Sequence, residues 1–215
     1  MSARCRMVLL MTSERVLDRR RVARAALALT AVLLLAGCGS SPSTNFYTLD
    51  PVEAHSPSSR GARTAVQVAA VHVPATLDRR EMVRETGANR LDVSEQNRWA
   101  APLDEMIRRV LTQDLAQRLP TGAVLAPDAP ASATTKRIIV ELSQFDRGPS
   151  GSIVLEGSWS LLSPGTQKTA LTHDLHLEER PNGSGYADDA ASMSHLVGKL
   201  ADEIASALQG GPGAR

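Results

Sequence analysis

The chain has 215 residues, 42% apolar and only 3% aromatic, with 24 basic and 23 acidic side chains. That is globular composition, and it excludes disordered, collagenous and polytopic membrane classes. Seven of the basic and two of the acidic residues fall in residues 1–37, which leaves 17 against 21 beyond them and a net charge of −4. A mildly acidic surface without a basic stripe argues against nucleic acid as a partner, because phosphate neutralisation needs clustered Lys and Arg.

Arg19, Arg20, Arg21 and Arg24 form a positive flank before the apolar run Ala25 to Leu35. Eleven residues are too few to span a bilayer core, which takes roughly 20. The run has the length of a secretory signal and ends in Leu35-Ala36-Gly37-Cys38, which looks like a bacterial lipobox. Cys38 is the one cysteine left after removal of residues 1–37, so no intramolecular disulfide competes for its thiol, and it is the expected lipidation site. Gly39 follows it. By resemblance to lipoproteins of two-membraned bacteria, the absence of Asp at that position sorts the protein to the outer membrane. Gly39 to Asn45 is a polar tether that reaches at most about 25 Å. The expected organisation is a signal peptide over 1–37, a lipidated N-terminus and tether over 38–45, one domain over 46–209 and a tail over 210–215.

Within the domain, Phe46 to Leu49 predicts a short strand, and Pro51 to Arg63 a loop. Val66 to Val73, apolar on alternating faces up to Pro74, predicts a central strand covered on both sides. Met82–Glu85 and Arg90–Val93 flank Thr86-Gly87-Ala88-Asn89 as a β-hairpin. From Leu103, apolar residues at 106, 107, 110, 111, 115 and 119 keep helical spacing until Pro120, with the charged residues, Arg118 among them, mostly on other faces. After a loop over 126–135, Ile138–Phe145, a strand around Ile153, Leu155, Trp159 and Leu161, and one around Leu171, Leu175 and Leu177 form an antiparallel meander. A last helix places Met193, Leu196, Val197, Leu200, Ile204 and Leu208 on one face. The fold class is therefore α+β: a single mixed, mostly antiparallel sheet with two main helices packed on one face.

Catalytic patterns do not emerge. There is no G-x-S-x-G, Walker loop or H-E-x-x-H. His173 and His176 are three apart on a strand and point to opposite faces, so no metal site is expected from them; His173 reads as a satisfied inward histidine. Asp188-Asp189 suits a helix start. The expectation is a binding protein and not an enzyme, with no metal, no catalytic residue and no cofactor beyond the covalent lipid. Its candidate partner surface runs from Leu77 to Trp99, where Arg79, Arg80, Arg84 and Arg90 supply charge and Trp99 an aromatic anchor, Trp and Arg being the commonest hot-spot residues. The alternative for Trp99 is a place in the core beneath the first helix.

Several stretches together resemble the ABC-type transport auxiliary lipoprotein family. They are Phe46-Tyr47-Thr48-Leu49 soon after the cysteine, Val66 to Pro74 as V-x-V-x-x-V-x-V-P, Leu77 to Arg84, Asn89-Arg90-Leu91 followed by Arg98-Trp99-Ala100-Ala101-Pro102-Leu103, and Val140 to Phe145 with Val154-Leu155 and Trp159. Ala101 departs from the family pattern, which has Glu there. The resemblance implies a docking component at the outer-membrane bilayer, facing the periplasm, beside proteins with mammalian-cell-entry (MCE) domains that move lipids between the two membranes. Homo-oligomerisation, as a ring, is compatible with that role. Two other roles stay open on the residues: an adaptor for outer-membrane protein assembly, and a monomeric binder of lipid or another small ligand.

Overall fold

The computed structural model describes residues 43–54, 65–165 and 168–210. The signal peptide, Cys38, Gly39, most of the tether, much of the loop before Val66 and residues 211–215 lie outside the described residues. The elements are β1 (Asn45–Tyr47), β2 (Val66–His72), β3 (Glu81–Gly87), β4 (Arg90–Trp99), α1 (Leu103–Arg118), β5 (Lys136–Arg147), β6 (Ile153–Leu162), β7 (Thr169–Glu179) and α2 (Tyr186–Leu208). One mixed seven-stranded sheet runs β1-β4-β3-β5-β6-β7, with β2 also on β5. The long pairs β3–β4, β5–β6 and β6–β7 are antiparallel; β1–β4, β2–β5 and the single-residue contact of β3 with β5 are parallel.

Strand alternation makes this sheet one-sided. Ile138, Val140, Ile153, Leu155, Trp159 and Leu175 point to the helices and are buried, whereas Glu141, Glu156, Thr172, Asp174 and His176 are exposed on the other face. Both helices close the same core. Leu103, Met106, Ile107, Val110, Leu111 and Leu115 form the inward stripe of α1, and Met193, Leu196, Val197, Leu200 and Ile204 that of α2. Pro102 occupies the N-cap of α1 without any side-chain cap hydrogen bond, and Asp104 and Glu105 in the first turn meet the positive end of the helix dipole.

Three expectations need correction. β2 is not central. It pairs with β5 along one edge, while its other edge, among the described residues, meets only a bridge to Val124; Gln67 is buried, its amide donating to the carbonyls of Ala126, Pro127 and Ala129 in the loop above it. Arg118 does not face solvent: it is 4% exposed, within the helix pair. His173 is inward but not satisfied, since its Nε2 has no hydrogen-bond partner among the described residues.

Candidate functional site

Two structures flank the surface that the sequence singles out. The first holds the segment that follows the tether. β1 lies parallel to β4, with Tyr47 opposite Trp99, and the Ala100 N–H donates to the Tyr47 carbonyl at 2.8 Å. Leu49 is then fully buried, and the chain crosses the helix pair under four polar ties. The Asp50 N–H donates to Ser194 Oγ (3.1 Å), the Val52 N–H to Asp114 Oδ1 (2.8 Å), Arg109 to the Leu49 carbonyl (3.1 Å) and Arg118 to the Val52 carbonyl (3.2 Å). Gly198 is where Val52 crosses α2; a Cβ there would stand 3.0 Å from Val52 Cβ. Arg118 also bonds Asp202 Oδ1 at 2.6 Å. Asp114 is fully buried, and its burial pushes the carboxyl pKa up to about 6, against the lowering effects of the Val52 N–H and Arg118.

The second is the β3–β4 hairpin. Its turn places Asn89 at φ 61°, a left-handed conformation that Asn tolerates better than most residues. Among the described residues β5 pairs with β3 at one register position, Arg147 opposite Arg84, and beyond it the hairpin continues as the β3–β4 pair, with Asp146 of β5 still touching the Glu85 backbone. Val83 is in the core, its cross-strand partner Val93 is 38% exposed, and Leu91, opposite Glu85, is 44% exposed. An apolar stripe thus leaves the core and runs out along the hairpin beside the exposed Arg90.

At the hairpin base the guanidinium groups of Arg84 and Arg147 grip the two oxygens of Asp189 in the first turn of α2. Arg84 Nε donates to Oδ2 and Arg147 Nε to Oδ1, each at 2.7 Å. Each arginine also donates through its other arm at 2.9 Å, to the carbonyls of Ser184 and Gly183 respectively. Arg84 further lies 3.8 Å over the Tyr186 ring. Asp189 holds the helix-start position read from the sequence and is also a buried bridge between the two arginines, while its neighbour Asp188 accepts from the Gly185 N–H.

The five candidate partner residues therefore separate. Arg79 and Arg90 are exposed. Arg80 is exposed but donates to the carbonyls of Trp99 and Ala100, bracing the entry to α1. Arg84 is spent on Asp189, and Trp99, 3% exposed, is core beneath α1. Leu91 and Val93 were missed, because apolar residues on a strand read as inward until the end of the covering layer is known. No group of three or more His, Cys, Asp or Glu side chains able to hold a metal occurs among the described residues, and none of their helices is long and apolar enough to cross a membrane.

Comparison with known proteins gives a consistent picture. The family model described as ABC-type transport auxiliary lipoprotein component matches residues 47–205. The intermembrane transport lipoprotein PqiC of Escherichia coli K12 is 30% identical over 182 residues, covering 83% of this chain and 92% of that protein, and the protein of the same name from Shigella flexneri matches equally. Two crystal structures share the fold. One, of an uncharacterised protein, has a TM-score of 0.65 at 24% identity, covering 76% of this chain and 97% of the other. The second, from Xanthomonas campestris, has a TM-score of 0.62 at 13% identity, covering 78% and 95%.

Proposed function

Since the chain belongs to the ABC-type transport auxiliary lipoprotein family, we propose that it is a non-catalytic docking component of a transport system that moves lipids between the inner and outer membranes. It is held at the outer membrane, facing the periplasm, by lipid on Cys38, and its partner is an MCE-domain protein arriving from the other membrane. The observation that carries this reading is the family match over residues 47–205, joined to 30% identity with a protein named for intermembrane transport. The anchor is physically sufficient. Each buried methylene contributes about 0.8 kcal/mol, and two or more acyl chains hold a protein stably where one does not.

The docking surface is the hairpin tip, with Arg90, Leu91 and Val93 at its centre and Arg79 on the approach to β3. Exposed apolar side chains beside an arginine form the kind of patch that partners cover. The grip of Arg84 and Arg147 on Asp189 fixes the hairpin base, so the tip meets its partner with little ordering left to do. A photo-crosslinking amino acid at Leu91 tests this in intact cells, with one at Glu156 on the polar face of the sheet as control. The expected result is a crosslink to an MCE-domain protein from position 91 alone. Equal crosslinking from both positions, or from 156 alone, refutes the hairpin as docking surface.

A further inference from the structure

Gln67 of β2, Arg137 of β5 and Leu162 of β6 stand in one row across the sheet, Gln67 opposite Arg137 and Arg137 opposite Leu162. Their chain neighbours Val68, Ile138 and Leu161 are core residues, so strand alternation turns the row to the helix-free face. The loop over 126–135 roofs it. The Gln67 amide N–H₂ holds that roof by the carbonyls of Ala126 (3.1 Å), Pro127 (3.1 Å) and Ala129 (2.8 Å), and within the loop the Ser132 N–H donates to Thr135 Oγ1 at 3.1 Å. Between row and roof lies a cavity of about 430 Å³, lined by Gln67, Arg137 and Leu162 and by loop residues that include Pro127, Ala129 and Ala131. That volume falls within the roughly 300–1,000 Å³ of small-molecule sites.

Among the described residues, every other buried or half-buried arginine has an acid. Arg84 and Arg147 share Asp189, Arg98 has Glu81, Arg108 has Asp128, and Arg118 has Asp202. Arg137 is half-buried and has neither an ion pair nor a hydrogen bond among them. Its Nε is shut off from solvent; its two terminal nitrogens are not, and the residue lines the cavity, so the guanidinium presents its outer edge there. A half-buried charge without a counter-charge is unfavourable, and an anion in the cavity would supply one. No second cation lines the cavity among the described residues. That suits the single charge of a carboxylate, whose two oxygens match the guanidinium edge through parallel N–H···O bonds. Beside Arg137, at the strand spacing of about 4.8 Å, stands Gln67. Its side chain is 5% exposed and its amide nitrogen is committed to the roof, but Oε1 accepts no hydrogen bond among the described residues and is not shut off from solvent. An amide oxygen can only accept, so the ligand needs an N–H next to its carboxylate. An ammonium would put a second positive charge beside Arg137, where the one lining acid, Asp128, is already paired with Arg108 at 3.1 Å. A neutral amide N–H adds none.

From this arrangement we propose that the cavity captures the C-terminus of a polypeptide, its carboxylate on the Arg137 guanidinium and the N–H of its last residue on Gln67 Oε1. The free carboxylate distinguishes a chain end from a chain interior, and a small apolar last residue suits walls made of Ala129, Ala131 and Leu162. The inference goes beyond the docking role and does not depend on it, because the hairpin tip takes no part and binding needs neither the transport partner nor the membrane anchor.

The test uses the mature chain from residue 38 with Cys38→Ser, labelled with ¹⁵N; residues 44–215 form a compact unit by themselves. N-acetyl-alanyl-alanine saturably shifts the backbone amide signals of Gln67, Ala129, Ala131 and Arg137 and leaves those of Arg90 and Leu91 at the hairpin tip in place. Its C-terminal amide, which lacks the charge, binds about tenfold more weakly, the scale of one charge-assisted contact. Acetate, which keeps the charge and lacks the N–H, binds about fivefold more weakly, the scale of one neutral hydrogen bond. Free alanine, whose nitrogen is an ammonium, is also weaker than the acetylated dipeptide. Arg137→Met abolishes binding and leaves the thermal midpoint at or above that of the parent, because the arginine has no partner in the fold to lose. The ligand series needs no variant, so it decides independently of how Arg137→Met folds. Absence of a saturable shift at the cavity, an amide, acetate or free alanine that binds as tightly as the acetylated dipeptide, or binding that survives Arg137→Met overturns the inference.

Discussion

Replacing Asp189 with Asn keeps the side-chain volume and removes one buried negative charge from between two arginines. The carboxylate is 4% exposed, Arg84 20% and Arg147 14%. Removing one member of a buried ion pair typically costs about 3–5 kcal/mol, chiefly by stranding the partner charge. Here the partial exposure of both arginines, their bonds to Ser184 and Gly183, and the Tyr186 ring under Arg84 relieve some of that cost, which places the expectation near the lower bound, about 3 kcal/mol. An Asn also turns an N–H₂ toward one of the two guanidinium groups, donor against donor. With a urea m-value of about 2 kcal/mol/M, the midpoint measured by far-UV circular dichroism falls by about 1.5 M. Arg90→Glu, at the exposed tip, should change stability by no more than about 0.5 kcal/mol. By the same geometry Arg84→Glu would face Asp189 directly and should destabilise at least as much as Asp189→Asn. A midpoint shift below about 0.25 M for Asp189→Asn, equivalent to roughly 0.5 kcal/mol, would show that the arginine grip contributes nothing to the fold.

Burial pushes the Asp114 carboxyl up to about 6 in the folded protein, from the ordinary 3.8 of a solvated aspartate, so between those limits the folded state binds the extra proton and stability rises as pH falls through about 6 toward 4. Asp114→Asn should flatten that rise, by about 3 kcal/mol at most across the window, in urea titrations at stepped pH; an unchanged slope would mean that the buried carboxyl does not titrate there. Gly157 sits at φ 152° with the Glu141 carbonyl and Leu142 Cα in the space that a Cβ would fill, so Gly157→Ala should lower stability by more than about 2 kcal/mol, and a thermal midpoint like that of the parent would contradict this. Cys38→Ala should leave an unlipidated precursor absent from outer-membrane fractions, whereas ordinary processing and sedimentation would end the lipoprotein reading. Gly39→Asp should move the protein toward inner-membrane fractions on a density gradient, and an unaltered distribution would mean that sorting rests on another residue.

Periodicity made both helices, the hairpin and the three-strand meander legible, because each repeats an apolar signal over several turns or alternations. What escaped are charges placed on apolar stripes. Asp114 and Arg118 continue the spacing of Val110, Leu111 and Leu115, so the pattern itself pointed inward, but residue type argued for solvent. Their burial makes sense only with Asp202, 84 residues from Arg118, and Val52, 66 residues from it. Arg84 escaped for the same reason, its acid lying 105 residues away. β2 was misplaced because a loop covers Gln67, and a covering loop has no periodic signature. Within the candidate site, Arg79 and Arg90 kept the exposed positions expected of them and Trp99 took the core alternative. The exposure of Leu91 and Val93 depends on where β5 ends, which no local pattern at the hairpin reveals.

The central claim is that this lipoprotein docks a lipid-transport partner at the outer membrane, and purification of the tagged, lipidated protein from detergent-solubilised envelopes addresses it most directly. The proteins that remain bound are identified by mass spectrometry, with the Leu91→Ser/Val93→Ser variant run in parallel. The account predicts an MCE-domain protein in the wild-type eluate, depleted severalfold by the double substitution while the lipoprotein itself stays folded. Recovery of outer-membrane assembly factors in its place, or an MCE-domain protein retained undiminished by the variant, would contradict the partner in the first case and the docking surface in the second.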